Sequence, residues 1–158
     1  MALNPAFVGR TFARPGTYLV GREKVIANTV KLGITGIVKS CSMALGDTGI
    51  SVLEHTQGYA HFASGGKQVK AHAFTEVKNS KGEVIYSRER DAPQPEQLFD
   101  PRHVEMLNFM LGEVVTAGTG KKAQLEFTTS AGKTGTSTNY RDAWFVGFTG
   151  KYVAGVWF

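Results

Sequence analysis

Cysteine is nearly missing from this chain: Cys41 stands alone among 158 residues. One thiol excludes an internal disulfide and any cysteine-built metal box, so Cys41 reads as a plain buried or loop thiol. Long apolar runs are missing too. No stretch approaches the roughly 18 consecutive apolar residues of a membrane-spanning helix. Residues 1–20 carry Pro5, Arg10, Arg14 and Pro15 and no continuous apolar core, which is not the pattern of a secretory signal. The four histidines (His55, His61, His72 and His103) lack metal-ligand spacing and read as surface or packing residues. No metal and no other cofactor is expected. Charge is not massed in one place: 18 Lys and Arg against 13 Asp and Glu leave a net +5, spread along the chain. That balance favours acidic surfaces without marking a nucleic-acid partner, and none is expected. A phosphate-cradling loop is also excluded. Its pattern needs a glycine six positions before the lysine, but Phe127 stands there for Lys133 and Val115 for Lys121. There is no internal repeat and no low-complexity segment.

What is present belongs to an ordinary globular chain. Apolar residues make up 42% and charged residues 20%, and the length suits one domain that buries roughly two-thirds of its unfolded surface. Nineteen glycines suit a turn-rich α+β chain. Residues 1–20 show turn residues and no period, and stay unassigned as loop or extended chain. Val25, Ile26, Val30 and Leu32 share one helical face, with Gly33 as a stop. Ser51 and Glu54 form a capping box for a helix running to Ala63, with Leu53, Tyr59, Ala60 and Phe62 as its apolar side and Ser64-Gly65-Gly66 as its end. Residues 69–88 alternate as a β-hairpin turning at Asn79-Ser80-Lys81-Gly82, and the charged, proline-bearing residues 88–98 read as an exposed connector. Asp100 and Pro101 open a helix as N-cap and first position. Val104, Leu107, Met110, Leu111, Val114 and Val115 follow a 3.6 period along it, and Gly118-Thr119-Gly120 closes it. The predicted fold is α+β: a three-stranded antiparallel sheet at the C-terminal end, packed by helices, with a peripheral hairpin. Trp144 and Trp157 are expected in the core.

The most informative stretch is Ser130-Ala131-Gly132-Lys133-Thr134-Gly135-Thr136-Ser137, the first strand of that sheet. The aromatic and β-branched runs at residues 142–148 and 152–158 supply the other two. In a strand, Thr134 and Thr136 share one face while Lys133 and Gly135 share the other. A twist or bulge at Gly135 is expected to bring Lys133 and the hydroxyls round a common anion. Gly135 lets a ligand approach the backbone, and an N–H just beyond it suits an oxyanion. Lys133 offers a compact charge for a carboxylate, and the hydroxyls offer directional hydrogen bonds.

Lys133-Thr134-Gly135-Thr136-Ser137 resembles the lysine-threonine-glycine box of the penicillin-binding proteins and serine β-lactamases. The flanks agree: small residues before the box, then Asp142-Ala143-Trp144-Phe145-Val146-Gly147-Phe148, then a strand ending Val156-Trp157. Upstream, the helix ending Leu32-Gly33-Ile34, the Ala44-Leu45-Gly46 loop, the helix ending Phe62-Ala63-Ser64-Gly65-Gly66 and the Val114-Val115 to Gly118-Thr119-Gly120 segment follow the family's order. Residues 21–158 are similar to the C-terminal portion of the transpeptidase domain of a class A, bifunctional penicillin-binding protein. Val52 and Glu54-His55-Thr56 depart from it, where the family often has proline and Glu-Met-Ala. The resemblance implies a partial penicillin-binding fold at the outer face of a bacterial inner membrane, in the periplasm. It implies a peptidoglycan D-Ala–D-Ala stem peptide or a β-lactam as the ligand. Lys133 and Thr136 would be its catalytic residues, and Lys133, Thr134, Gly135, Thr136 and Ser137 its substrate-binding residues. The Thr136 N–H would be one oxyanion donor.

The family's nucleophile, the serine of a Ser-x-x-Lys box on a helix, has only formal counterparts here. Ser64-Gly65-Gly66-Lys67 places two glycines where a helix is needed, Ser130-Ala131-Gly132-Lys133 overlaps the strand box, and Ser137-Thr138-Asn139 matches the family's second motif inside a strand and turn. The chain is therefore expected to be half a site: inactive alone, completed by the remainder of the domain, and inclined to self-associate through uncovered apolar surface. The competing reading is a non-catalytic module that holds a carboxylate or peptide of the cell wall.

Overall fold

The structure, a computed structural model, describes residues 20–40, 43, 46–137, 139 and 141–158. Residues 1–19, Cys41, Ser42, Ala44, Leu45, Thr138 and Tyr140 lie outside the described residues, and the readings that fall on them with them. Helix α1 spans Arg22–Lys31 and stops where Gly33 takes φ 76°. None of its residues is fully buried: of the apolar face read from its spacing, Val25, Ile26 and Leu32 are half-buried and Val30 is exposed.

Helix α2 spans Val52–Ala63. The Ser51 hydroxyl accepts from the Glu54 N–H at 3.1 Å and donates to its carboxylate at 2.9 Å, so the capping pair forms. The helix ends as Gly65 and Gly66 turn to φ 70° and 88°, with the Gly66 N–H returning to the His61 carbonyl at 2.8 Å. Its buried residues are His55, Gly58 and His61, whereas Leu53 is exposed. The inner face is thus histidine-lined rather than wholly aliphatic. His61 is accommodated because its Nδ1 meets the Gln57 carbonyl at 2.9 Å.

The hairpin is shorter than the alternation of residues 69–88 suggests. Strand β1 is Glu76–Lys78 and β2 is Val84–Ser87. Residues 69–75 join no strand: no strand among the described residues runs alongside them, and of their backbone groups only the Thr75 carbonyl bonds to the returning arm, accepting from the Arg88 N–H at 2.8 Å. The connector beyond carries a four-residue helix, α3, Arg88–Asp91. It is pinned to the end of α2, where the Gln97 amide donates to the Gly65 and Phe99 carbonyls and the Leu98 N–H donates to the Gly66 carbonyl.

Helix α4, Pro101–Thr116, begins as expected, with the Asp100 carboxylate accepting from the Arg102 N–H at 2.9 Å and Pro101 in the first turn. Val104, Leu111, Val114 and Val115 are its buried stripe. Strands β3 (Ala131–Thr136), β4 (Ala143–Phe148) and β5 (Val153–Trp157) form an antiparallel sheet in the order β3-β4-β5. Helix α4 packs against β3, and α2 against β4 and β5. Trp144, Val146 and Phe148 enter the core from β4. The Trp144 ring lies 5.2 Å from that of His55, and the Phe148 ring 6.5 Å from that of Tyr59. Trp157 is not a core residue: it is 51% exposed on the edge strand, and its indole N–H donates to the Asp142 carboxylate at 3.0 Å.

Candidate functional site

Strand β3 is an edge strand, so one side of its backbone pairs with β4 while the other has no strand partner among the described residues. The register runs without interruption from Ala131 opposite Phe148 to Thr136 opposite Ala143. The bulge considered at Gly135 does not occur, because six consecutive pairs already satisfy the ladder on that side. Gly132 is needed for close approach. A Cβ there would lie 2.7 Å from the Phe145 ring and 2.8 Å from the Val146 carbonyl oxygen.

The strand alternation sorts the site as the sequence suggests. Lys133 and Gly135 are buried, while Thr134 and Thr136 are partly exposed. Lys133 is 9% exposed and sits opposite Val146, a core residue. Its ammonium donates to the Thr134 carbonyl at 2.8 Å, and no carboxylate among the described residues pairs with it. Burial pushes the Lys133 ammonium below its ordinary value. A buried cation with a carbonyl and no counter-charge leaves an electrostatic place for an anion.

The Thr134 hydroxyl makes a 2.7 Å hydrogen bond with the Thr119 hydroxyl. Thr119 follows α4 and is the residue the sequence reading passed over. Its signal was there, a lone hydroxyl between Gly118 and Gly120, but its distance to Thr134 depends on how α4 lies against β3. Ser137 ties down the end of the strand. Its N–H donates to the Asp142 carbonyl at 3.1 Å, and its hydroxyl accepts from the Asp142 N–H at 2.8 Å. Those bonds close the turn from β3 into β4, in which Asn139 takes φ 60°.

The three formal serine motifs are not brought together. Ser64 caps the end of α2, its hydroxyl donating to the His61 and Lys67 carbonyls, so Lys67 is not one helical turn away. Ser130 precedes β3, and its hydroxyl is buried without a partner. Ser137 closes the turn just described. Among the described residues no group of three or more His, Cys, Asp or Glu side chains could hold a metal ion.

With this geometry in place, comparison with known proteins is specific. A family profile described as the penicillin binding protein transpeptidase domain matches residues 26–156. Penicillin-binding protein 4 of Bacillus subtilis is 40% identical over 109 residues, covering 69% of this chain and 17% of that protein. Penicillin-binding protein 1A of Aquifex aeolicus is 34% identical over 138 residues, covering 87% of this chain and 19% of that protein. The chain thus spans less than a fifth of the length of these relatives. Among solved structures, PonA1 of Mycobacterium tuberculosis superimposes with a TM-score of 0.78 at 20% identity, over 87% of this chain and 40% of that one. The same protein in complex with penicillin V gives 0.71 at 20% identity, over 84% and 39%. At that identity the structural likeness speaks for the fold, and the profile and the relatives speak for the lineage. The chain belongs to the transpeptidase-domain family of the penicillin-binding proteins.

Proposed function

We propose that this chain is the carboxylate-binding half of a peptidoglycan D,D-transpeptidase site. In this reading residues 21–158 are the C-terminal portion of the transpeptidase domain, acting at the outer face of a bacterial inner membrane, on the periplasmic side. The observation that carries it is Lys133, a buried ammonium without a counter-charge among the described residues, on an edge strand whose neighbouring threonines are partly exposed. The Lys133 ammonium reaches along the strand to the Thr134 carbonyl, and this reach of the side chain, rather than a bulge, lets the terminal carboxylate of a D-Ala–D-Ala stem peptide, or that of a β-lactam, pair with Lys133 and accept hydrogen bonds from the Thr134 and Thr136 hydroxyls. The peptide lies along the open edge of β3, where backbone groups are free to add a strand. Gly135 keeps that approach clear, and Ser137 holds the end of the strand in place by closing the turn. The Thr136 N–H is one donor to the oxyanion that forms at the scissile carbonyl.

The complete reaction needs a serine whose hydroxyl attacks that carbonyl, releasing the terminal D-Ala and leaving an acyl-enzyme. An amine of a neighbouring stem peptide then takes the acyl group and regenerates the serine. None of the serines in this chain's formal motifs has the helical Ser-x-x-Lys geometry, so the nucleophile comes from the remainder of the domain, and this chain alone is inactive. Lys133 and Thr136 are the groups here that would touch the reacting atoms.

Two measurements test this. Titration with N-acetyl-D-Ala-D-Ala, followed by NMR, should shift the backbone amides of residues 133–137 and leave those of the β1–β2 hairpin in place. Intact mass after incubation with a reactive penicillin should show no adduct. A covalent adduct mapped to Ser64 or Ser130 would overturn the half-site assignment, and unmoved amides at 133–137 would overturn the carboxylate reading.

A further inference from the structure

The hydrogen bond between Thr119 and Thr134 joins two parts of the chain that the reaction scheme above does not connect. Thr119 is exposed, and both of its neighbours are tied to the end of α4. The Gly118 N–H returns to the Glu113 carbonyl at 2.8 Å, and the Gly120 N–H to the Val114 carbonyl at 2.9 Å. Val114 is fully buried under β3. A Cβ on Gly118 would lie 2.8 Å from the Val114 Cα and 2.9 Å from its carbonyl oxygen, and one on Gly120 3.1 Å from that same oxygen. Both neighbours of Thr119 therefore have to be small, and together they wrap the loop back onto the last turn of α4. The Thr119 hydroxyl is left standing 2.7 Å from that of Thr134.

A hydroxyl pair has a direction. Each threonine has one proton to give and two lone pairs to offer. If Thr134 gave its proton to Thr119, it would turn lone pairs toward an incoming carboxylate and repel it. If Thr119 gives its proton to Thr134, the Thr134 proton is free for the anion. The second arrangement also polarises the Thr134 hydroxyl and makes it a better donor. Thr134 can serve an anion only in that second arrangement, and Thr119 is the hydroxyl placed to supply it.

Resting on the carboxylate reading given above, we propose that Thr119 is a positioning residue for substrate binding: its hydroxyl donates to Thr134 and so orients and strengthens the Thr134 hydroxyl toward the ligand's carboxylate. The loop that closes α4 thereby takes part in recognition without touching the ligand.

The test compares N-acetyl-D-Ala-D-Ala with its C-terminal amide, which lacks the charge, by NMR titration of the wild-type chain, Thr119→Val, Thr119→Ala, Thr119→Ser, Thr134→Val and the Thr119→Val/Thr134→Val double variant. Thr119→Val and Thr119→Ala should each weaken binding of the acid about fivefold, the equivalent of one ordinary hydrogen bond. Binding of the amide should be unmoved. Thr119→Ser, which keeps the hydroxyl, should bind the acid as wild type does. The double variant should be no weaker than Thr134→Val, because Thr119 acts only through Thr134. Wild-type affinity in Thr119→Val, or losses that add in the double variant, would overturn the proposal while the site reading stands. If the wild-type chain itself binds the acid no better than the amide, the site reading fails first and the proposal is overturned with it.

Discussion

Lys133 has two properties that pull against each other: it is charged, and it is buried, with the Thr134 carbonyl as its hydrogen-bond partner among the described residues. That arrangement costs stability in the empty chain and gains when an anion arrives. Lys133→Met should therefore abolish discrimination between the acid and amide ligands while leaving the chain at least as stable as wild type, as denaturant titration would show. Gly132 lies at the opposite extreme. Gly132→Ala pushes a methyl into the Phe145 ring and the Val146 backbone, and backbone cannot step aside. We expect a loss of about 1–3 kcal/mol in the same titration. His55 supplies a pH dependence. It is 7% exposed, its Nδ1 has no hydrogen-bond partner among the described residues, and it stands between the Tyr59 and Trp144 rings. Burial pushes the imidazole down to about 4 from 6.5. As pH falls, the unfolded chain takes up this proton before the folded one. The stability His55 contributes is thus complete above pH 6.5 and declines as pH falls toward 4, by roughly 3 kcal/mol. Glu54, held below its ordinary 4.5 by hydrogen bonds from Ser51 and Thr35, weakens the fold only at lower pH. His55→Met should flatten the thermal-melting profile between pH 6.5 and 4.5, and an unchanged slope would place its origin elsewhere.

The helices and strands obeyed local chemistry to different degrees. The ends of α2 and α4 were written in their neighbours: Ser51 with Glu54, Asp100 with Pro101, and a glycine pair after Ser64. Each signal acts over one turn, so no distant packing can overrule it cheaply. Asp100→Ala should lower stability by about 1 kcal/mol in thermal or denaturant unfolding. Alternation was a weaker guide. Residues 69–75 alternate as well as residues 76–78 do, yet only the latter pair, because a strand exists only where a partner takes up its hydrogen bonds. In α2, of the apolar side read as Leu53, Tyr59, Ala60 and Phe62, Leu53 is exposed and the other three are half-buried, while His55 and His61 are the buried side chains. A histidine can enter the core when its ring meets other rings or its nitrogen finds a carbonyl.

Taken as a whole, the molecule shows much apolar surface to water. Met106 and Phe109 lie on the outside of α4, Phe109 at 71% exposure. Phe127 and Tyr152 border a cavity of about 860 Å³ beside β4 that Leu125, Phe145 and Phe148 also line. Trp157 and Phe158 stand on the β5 edge. Several such groups on one small chain favour contact with other surfaces, so sedimentation velocity should show a weight-average coefficient that rises with concentration. A single, concentration-independent monomer boundary would show that these side chains are tolerated in water. Among the described residues no helix is long and apolar enough to cross a membrane, so none of this surface belongs to a spanning helix.

The sequence by itself determined the class of the fold, the three-stranded meander, the stops of α2 and α4, and the strand on which Lys133, Thr134 and Thr136 alternate. All of these follow from steric and hydrogen-bonding preferences that reach a few residues along the chain. Only the tertiary structure decided that Lys133 is buried without a counter-charge, that Ser137 closes a turn, that Trp157 stays outside, and that Thr119 meets Thr134 across 15 positions of sequence. Those outcomes depend on which surfaces of α2 and α4 press on the sheet. That is a matter of volume and distance between segments far apart in the chain, and spacing along the sequence does not encode it.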